Sequence, residues 1–193
     1  MQSTSPTFPE SLIPQDDVDL TLGNGRLVSI HSYRVEFTPC LERLTIGLDR
    51  VYSAKPLVLV DKQTTFPELA LLGLFRGSGW QGAWVDGQHR KYFDRMPNQS
   101  KGISLDTFVN QSLTRIAENN ATGRVGCWDL LIWAERALVF VGVIASGSAA
   151  TIGEARVQWL SAAIRSGFSA QQFVIVSWDR KNVVARKKQR PHS

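Results

Sequence analysis

Apolar residues recur along this chain with two different periods, and the two periods predict an order of elements. The runs RLVSIHSYRVEF and PLVLV alternate or concentrate apolar residues in the manner of β-strands. The segment TTFPELALLGLFRGSGW then changes to the spacing of an amphipathic helix. Pro67 suits its first turn, Thr65 and Glu68 have the spacing of a capping box, and Gly77 and Gly79 end it. We predict a helix of three turns here.

The second half of the chain repeats the alternation of helix and strand. The pattern SLDTFVNQSLTRIAENN places its apolar residues on one helical face. Two apolar strands, WDLLIWA and ALVFVGVIA, follow with a tight turn between them, and they are as apolar as strands buried on both faces. A third helix, GEARVQWLSAAIRSG, precedes a last strand, FVIVSW. This order predicts an α/β fold in which helices flank a central mixed sheet.

The polarity of the remaining segments predicts the domain boundaries. We expect residues 1–20, which are polar and rich in Pro and Ser, to be disordered. Residues 21–179 are predicted to form one α/β domain whose core spans residues 64–179. Within it, GAWVD is a short predicted strand, and the polar stretch GQHRKYFDRMPNQSKG a predicted loop. We attach no chemistry to residues 21–60.

The positive charge of the chain is concentrated in its C-terminal tail. The formal net charge is +5, but six of the 22 basic residues lie in residues 180–193, which hold no acidic residue. Residues 1–179 therefore carry 16 basic and 17 acidic side chains and are nearly neutral. Such a tail suits contact with phosphate groups, although a solvated, disordered end is the commoner outcome for such a segment.

Targeting signals and cysteine chemistry are not indicated. The chain opens without a basic flank and apolar run, and no window approaches the length of a membrane span. We therefore expect a cytoplasmic protein without a membrane partner. The two cysteines, Cys40 and Cys127, lack the spacing of a disulfide framework or a zinc site.

The hairpin GCWDLLIWAERALVFVGVIASG raises the question of a metal site. Hydrolysis of a phosphodiester with a divalent metal needs hard oxygen ligands gathered at one point, with a cation nearby. An acid at the start of one strand and an acid-x-Lys triplet on the next would supply them, because strand side chains repeat every two residues. Asp129 has the first of these positions, while Gly142 and Ile144 occupy the triplet.

From Pro67 to Trp178 the chain resembles the PD-(D/E)xK nuclease superfamily, and within it is most similar to small bacterial proteins related to the VRR-NUC group. The likeness is carried by FPELALLGLFRGSGW, GCWDLLIW, LVFVGVIAS, ARVQWLSAAIRSG and FVIVSW. The resemblance implies a restriction-endonuclease-like core of helix, strand, strand hairpin, helix and strand. It also implies magnesium-dependent, or manganese-dependent, hydrolysis of DNA.

Carried over by position, the resemblance makes Asp129 the first metal-binding acid and Glu68 a carboxylate that faces the metal. Gly142 stands where an acid is expected and Ile144 where the lysine is expected. Arg156 occupies a position in the closing helix where relatives often carry Gln. The triplet that performs the chemistry is thus absent from this chain.

Three hypotheses account for that departure. In the first, the fold binds nucleic acid and phosphodiester hydrolysis is impaired or lost. In the second, the ligands have migrated, so that Asp129, Glu68 and Glu154 bind Mg²⁺ or Mn²⁺ while Arg156 supplies the positive charge of the lysine. In the third, the scaffold serves as a protein-interaction module.

The basic loop that follows the predicted strand GAWVD is a candidate contact surface for nucleic acid. Tyr92 and Phe93 lie between its basic residues. Basic side chains neutralise phosphates and aromatic rings stack on bases. The predicted contact residues, of which the last two lie in the tail, are Arg90, Lys91, Arg95, Lys101, Lys187 and Lys188.

Overall fold

A computed structural model describes residues 7–40, 52, 54–87, 89–147 and 152–181. Three α-helices lie in these ranges: α1 (Pro67–Gly77), α2 (Thr107–Glu118) and α3 (Glu154–Arg165). The same ranges hold nine strands and a short 3-10 helix at Ala170–Gln172. The strands are β1 (Ile13–Thr21), β2 (Leu27–Pro39), β3 (Val58–Val60), β4 (Gln63–Thr65), β5 (Gln81–Asp86), β6 (Lys91–Phe93), β7 (Leu130–Ala134), β8 (Ala137–Ala145) and β9 (Phe173–Arg180).

The strands form one mixed sheet, as the sequence predicts. Its order is β4-β3-β2-β9-β8-β7-β5-β6, and β1 pairs with β2 beside β3. The strand β9 is parallel to both of its neighbours, β2 and β8, whereas every other pairing is antiparallel. A parallel neighbour requires a crossover, and α3 provides the one between β8 and β9.

The two faces of the sheet bury separate apolar clusters. One face packs against α1, through Leu72 and Phe75 of the helix and Leu130 and Val141 of the sheet. The other packs against α2 and α3, through residues such as Leu113 and Trp159. Successive residues of β7 and β8 alternate between the clusters, which explains why these strands are apolar at almost every position. The α/β class and the flanking helices are confirmed.

The start of α1 corrects one detail of the sequence prediction. Phe66 is the N-cap of the helix, no side chain caps it, and Pro67 takes the first helical position. Thr65 belongs to β4, one residue too early for a capping box, so that part of the prediction is wrong. Glu68 is free of any capping duty and bonds with Lys55 instead.

The N-terminal part of the chain is more ordered than predicted. Residues 13–20, which we expected to be disordered, lie in β1 and pair with β2. Three acidic residues interrupt this segment, and its stability comes from pairing with β2 and from the burial of Leu12 and Leu20. The core also begins before residue 64, because β2 inserts beside β9 and buries Val35 and Phe37. Residues 1–6 and 182–193, including most of the basic tail, lie outside the described residues.

The segment predicted as a loop, residues 87–102, contains a strand. Lys91–Phe93 form β6 and pair with the end of β5. Phe93 is buried and packs beside Trp84, with ring centroids 5.6 Å apart. The pattern was missed because only three residues pair and their flanks are polar.

Among the described residues no helix is long and apolar enough to cross a membrane.

Candidate functional site

Asp129 lies where the sequence places it, directly before β7, and both oxygens of its carboxylate are engaged. Oδ2 accepts a hydrogen bond of 2.7 Å from the backbone N–H of Val143 on β8. Oδ1 accepts a bond of 2.6 Å from the guanidinium of Arg156. The side chains of Asp129 and Arg156 are only 19% and 28% exposed. The pair is therefore a partly buried ion pair, in which each charge depends on the other.

Close backbone contact brings α3, and with it Arg156, to Asp129. The loop before β7 passes against the first turn of α3 at Gly126, where a Cβ atom would lie 2.0 Å from the carbonyl oxygen of Ala155. Gly126 also has a φ of +85°, which favours glycine. Nearby, the indole N–H of the buried Trp128 donates to the carbonyl oxygen of Arg156. These contacts between the loop and the helix place Arg156 within hydrogen-bonding distance of Asp129.

Burial raises the pKa of Asp129 above its ordinary value of 3.8. The charge of Arg156 and the N–H of Val143 lower this pKa, and the nearby carboxylate of Glu68 raises it. Lys55 also lowers it. Glu68 and Lys55 therefore belong to the same electrostatic environment as Asp129, although they come from other parts of the chain.

Glu68 is paired with a lysine that the sequence did not single out. The ammonium of Lys55 donates to Oε1 of Glu68 over 2.5 Å, and the Glu68 side chain is 13% exposed. The same ammonium lies 5.2 Å from the ring centroid of Trp84 and 5.5 Å from that of Phe66, within cation–π range. Oε2 of Glu68 is buried and has no hydrogen-bond partner among the described residues. The site thus holds two acids, Glu68 and Asp129, each with a basic partner of its own.

We expect Lys55→Met to lower the free energy of unfolding by about 1 to 2 kcal/mol, because it leaves Glu68 as a buried carboxylate without its cation. Urea unfolding followed by circular dichroism would measure the loss. The double variant Lys55→Met/Glu68→Leu removes both charges and should recover most of it. A double variant no more stable than Lys55→Met would contradict this account of the pair.

The positions of the missing triplet point away from Glu68. A Cβ atom on Gly142 would lie 3.2 and 3.3 Å from ring atoms of Trp128 and 3.6 Å from Ile152, on the face covered by α3. Ile144 packs against the same cluster. The adjacent residue, Val143, packs on the opposite face, against the cluster of α1. Side chains at positions 142 and 144 would therefore not share a face with the helix that carries Glu68.

The side chain of Glu154, the proposed migrated ligand, bonds to a residue of its own helix. It is the first residue of α3, is exposed, and accepts a hydrogen bond of 3.1 Å from the side chain of Gln158. The groups that act on the pKa of Asp129 are Arg156, Val143, Glu68 and Lys55, and Glu154 is not among them. The structure thus joins Asp129 with Arg156 and brings Glu68 near them, but does not join Glu154 to this group.

The described residues do not fit a bound magnesium or manganese ion as they stand. They contain no group of three or more His, Cys, Asp or Glu side chains placed to hold a metal. The unpartnered Oε2 of Glu68 would accept a cation, but Arg156 and Lys55 already hold the other oxygens that a shared ion would need. Octahedral ligation by hard oxygens is not available from one free atom.

A second polar group adjoins Trp84, whose ring centroid lies 5.9 Å from that of Tyr52. Asp86, at the end of β5, is buried and accepts hydrogen bonds from the hydroxyl of Tyr52 and from Nδ1 of His89, the latter over 2.6 Å. Burial raises the pKa of Asp86, but its hydrogen bonds with Tyr52 and His89 outweigh that effect and hold the pKa below its usual value. Because Asp86 and His89 lie three residues apart, their contact also shapes the turn into β6.

The predicted nucleic-acid residues within the described ranges are all accessible: Arg90, Lys91, Arg95 and Lys101 are exposed. The interleaved rings differ from the prediction. Phe93 is buried in the core, and Tyr92 is half-buried and accepts a hydrogen bond of 3.0 Å from Arg124. Phe93 is therefore not available for base stacking in this conformation. The predicted contact with nucleic acid depends on the exposed basic side chains instead. Lys187 and Lys188 lie outside the described residues.

Sequence reasoning missed Lys55 and Arg124. Lys55 follows a segment without a clear periodic pattern, and only its position before Pro56 in a turn could have marked it. Arg124 stands in TGRVGCWD, between two glycines that both have positive φ, at 61° and 85°. Paired glycines before an acid signal a tightly shaped loop, and that signal was available in the sequence.

No family model matches this chain, and no curated protein or solved structure is significantly similar to it.

Proposed function

We propose that this protein binds nucleic acid on a nuclease-like scaffold and has lost metal-dependent phosphodiester hydrolysis. The observation that carries the proposal is the internal neutralisation of the site. Asp129 and Glu68, two of the three acids in the predicted metal site, bond at 2.6 and 2.5 Å to Arg156 and Lys55. A divalent ion would have to displace a charge-assisted hydrogen bond at each of them.

The topology supports the nuclease-like part of the proposal. The elements α1, β5, β7, β8, α3 and β9 follow one another in the order of helix, strand, strand hairpin, helix and strand, with α2 as an extra helix. The strands β5, β7, β8 and β9 are also neighbours in the sheet, and β9 is parallel to β8. The resemblance to PD-(D/E)xK nucleases implies this order of elements, and the order supports the proposal.

Nucleic-acid binding is supported by the exposed basic residues around β6. Arg95 pairs only with the neighbouring Asp94, at 3.4 Å, and Lys101 has no ion pair among the described residues. Their charge is thus open to a polyanion. Such binding releases the counterions condensed on DNA, and because that release is less favourable at higher salt, the affinity depends strongly on salt.

The test is binding of labelled single-stranded and duplex DNA, followed by fluorescence anisotropy at several salt concentrations. We expect the affinity to fall steeply with salt, and Arg95→Gln/Lys101→Gln to flatten the slope by about 1.5 units, because each phosphate contact contributes about 0.7 to 0.9. The control Arg26→Gln/Lys62→Gln removes two charges at other turns of the sheet and should leave the slope nearly unchanged. Equal slopes in all three proteins, or no binding at low salt, would contradict the proposal.

The proposed loss of hydrolysis is tested by incubating the protein and the same DNA with Mg²⁺ or Mn²⁺. We expect no cleavage by the wild-type protein. Metal-dependent cleavage that disappears in Asp129→Asn would show that hydrolysis is retained. Salt-insensitive association with a protein and no binding to DNA would instead favour an interaction module.

A further inference from the structure

Two adjoining cavities open between the β5–β6 hairpin and the loop that precedes β7. The outer one has a volume of about 440 Å³ and the inner one of about 140 Å³. They share four lining residues: Gly87, Arg90, Arg124 and Cys127. The inner cavity extends to apolar walls at Leu113 and Trp159. Together they form a cleft with basic groups at its mouth and rings in its depth.

Arg124 is held in this cleft by neutral groups alone. Its guanidinium donates to the hydroxyl of Tyr92 over 3.0 Å, to Oδ1 of Asn110 over 3.2 Å and to Oγ1 of Thr114 over 3.1 Å. No carboxylate of the described residues forms an ion pair with it. Three neutral acceptors thus fix the orientation of the guanidinium and leave its charge uncompensated. A cation so arranged is suited to bind an anion.

A buried donor at the inner wall also lacks an acceptor. Trp159 on α3 is fully buried, and its Nε1–H has no hydrogen-bond partner among the described residues. Buried N–H groups are almost always hydrogen-bonded, because a buried N–H without an acceptor has lost its hydrogen bond to water and has gained none in the protein. Trp159 lines the inner cavity but is fully buried, so an acceptor bound there would satisfy this group only after a shift of the cavity wall. This observation is independent of the charge on Arg124.

The other titratable groups of the cleft are compatible with an anion. Loss of solvation around the thiol raises the pKa of Cys127 to about 12, so the thiol is neutral at physiological pH, although the residue keeps some exposure. Asp86 is among the residues that line the inner cavity, and its carboxylate is engaged with Tyr52 and His89. Arg90 and Lys91 add two exposed positive charges to oppose that one negative charge.

We infer that this cleft binds a phosphate group, with Arg124 and Arg90 neutralising its charge and the indole N–H of Trp159 donating to it. The apolar inner wall further suits a ring attached to that phosphate, as in a nucleotide. That the phosphate belongs to a nucleic-acid strand rests on the proposed function, whereas a free nucleotide would present the same chemistry. Lys55, Glu68, Asp129 and Arg156 do not line either cavity.

Isothermal titration calorimetry of the full chain with inorganic phosphate, adenosine 5′-monophosphate and adenosine tests the inference. Both phosphates should bind and adenosine should not. We expect Arg124→Gln to weaken phosphate binding by about tenfold or more, as the loss of a charge-assisted contact implies. Arg90→Asn should weaken it several-fold, and its backbone, with a φ of 54°, tolerates asparagine. Trp159→Phe removes the N–H but keeps a ring, and it should weaken phosphate binding several-fold.

The matched control is Arg136→Gln, which removes the same charge at the turn between β7 and β8, far along the strands from the cleft. It should bind phosphate as the wild type does. Thermal unfolding checks that each variant is folded. If Arg124→Gln perturbs folding, the exposed Arg90→Asn decides the question. Wild-type affinity in both folded Arg variants, or no binding of either phosphate, would overturn the inference.

A second arm separates this inference from the proposed function. The wild-type protein and Arg124→Gln are each tested for binding of one oligonucleotide, with and without a 5′-phosphate. If DNA binds and Arg124→Gln has no effect on either strand, the phosphate cleft is wrong while nucleic-acid binding stands. If adenosine 5′-monophosphate binds through Arg124 and DNA does not bind, the cleft stands and the proposed function fails.

Discussion

Replacing Arg156 by alanine is expected to lower the free energy of unfolding by about 3 kcal/mol at neutral pH. The substitution leaves Asp129 as a largely buried carboxylate with only the N–H of Val143 to stabilise its charge. Breaking one side of a buried ion pair costs about 3 to 5 kcal/mol, and the 28% exposure of Arg156 places this pair at the lower end. Chemical denaturation at pH 7 measures the loss.

The deficit of Arg156→Ala should depend on pH in a defined direction. Because the pKa of Asp129 is raised in the folded protein, the folded state binds its proton more tightly than the unfolded state. Its contribution to stability is therefore fully present below the ordinary pKa of 3.8 and is lost as the pH rises through the raised pKa. Removing Arg156 raises that pKa further, so the loss grows. Below pH 3.8 the variant and the wild type should converge.

Asp129→Asn provides the matched control for this prediction. In the double variant Arg156→Ala/Asp129→Asn, no charge is left behind, and most of the lost stability should return. The pH dependence assigned to Asp129 should disappear as well. A deficit of equal size at acid and neutral pH, or no recovery in the double variant, would mean that Arg156 acts through packing of its side chain and not through its charge.

Gly126→Ala should also lower the free energy of unfolding, by about 3 kcal/mol or more. Its methyl group would lie 2.0 Å from the carbonyl oxygen of Ala155 and 2.5 Å from the carbonyl carbon, and both are backbone atoms that cannot rotate away. The φ of +85° adds strain of about 1 to 3 kcal/mol for a residue with a side chain. The loop and the N-terminus of α3 must then separate, which would also lengthen the contact between Asp129 and Arg156.

Gly123→Ala separates the two contributions to that loss. Gly123 has a φ of +61° in the same loop, but a Cβ atom there would meet nothing within 4 Å. It should therefore report the backbone strain alone, at about 1 kcal/mol. Thermal and urea unfolding of both variants measure the difference. Equal losses at the two positions would contradict a steric role for Gly126 against Ala155.

Individual residues show how far the sequence prediction reached at the site. Asp129 was placed correctly at the start of β7, because the apolar strands WDLLIWA and ALVFVGVIA are recognisable from composition alone. Its partner Arg156 was singled out only as a replacement for the missing lysine. That Arg156 bonds directly to Asp129 depends on how α3 packs against the loop at Gly126. The lysine beside Glu68 comes from residue 55, in a region to which the sequence attached no chemistry.

The sequence by itself determined the helices and the central hairpin. The tertiary structure decided which charged side chains pair and on which face of the sheet each residue lies. Apolar periods and turn residues act within windows of about ten residues, so α1, α2, α3, β7 and β8 were predictable. The insertion of β2 beside β9 depends on contacts between segments that are distant along the chain, and no local period encodes it. The same holds for Glu68 and Asp129: only the packing of the elements brings Lys55 and Arg156 to their carboxylates, and those contacts fill a site that the sequence had suggested for a metal.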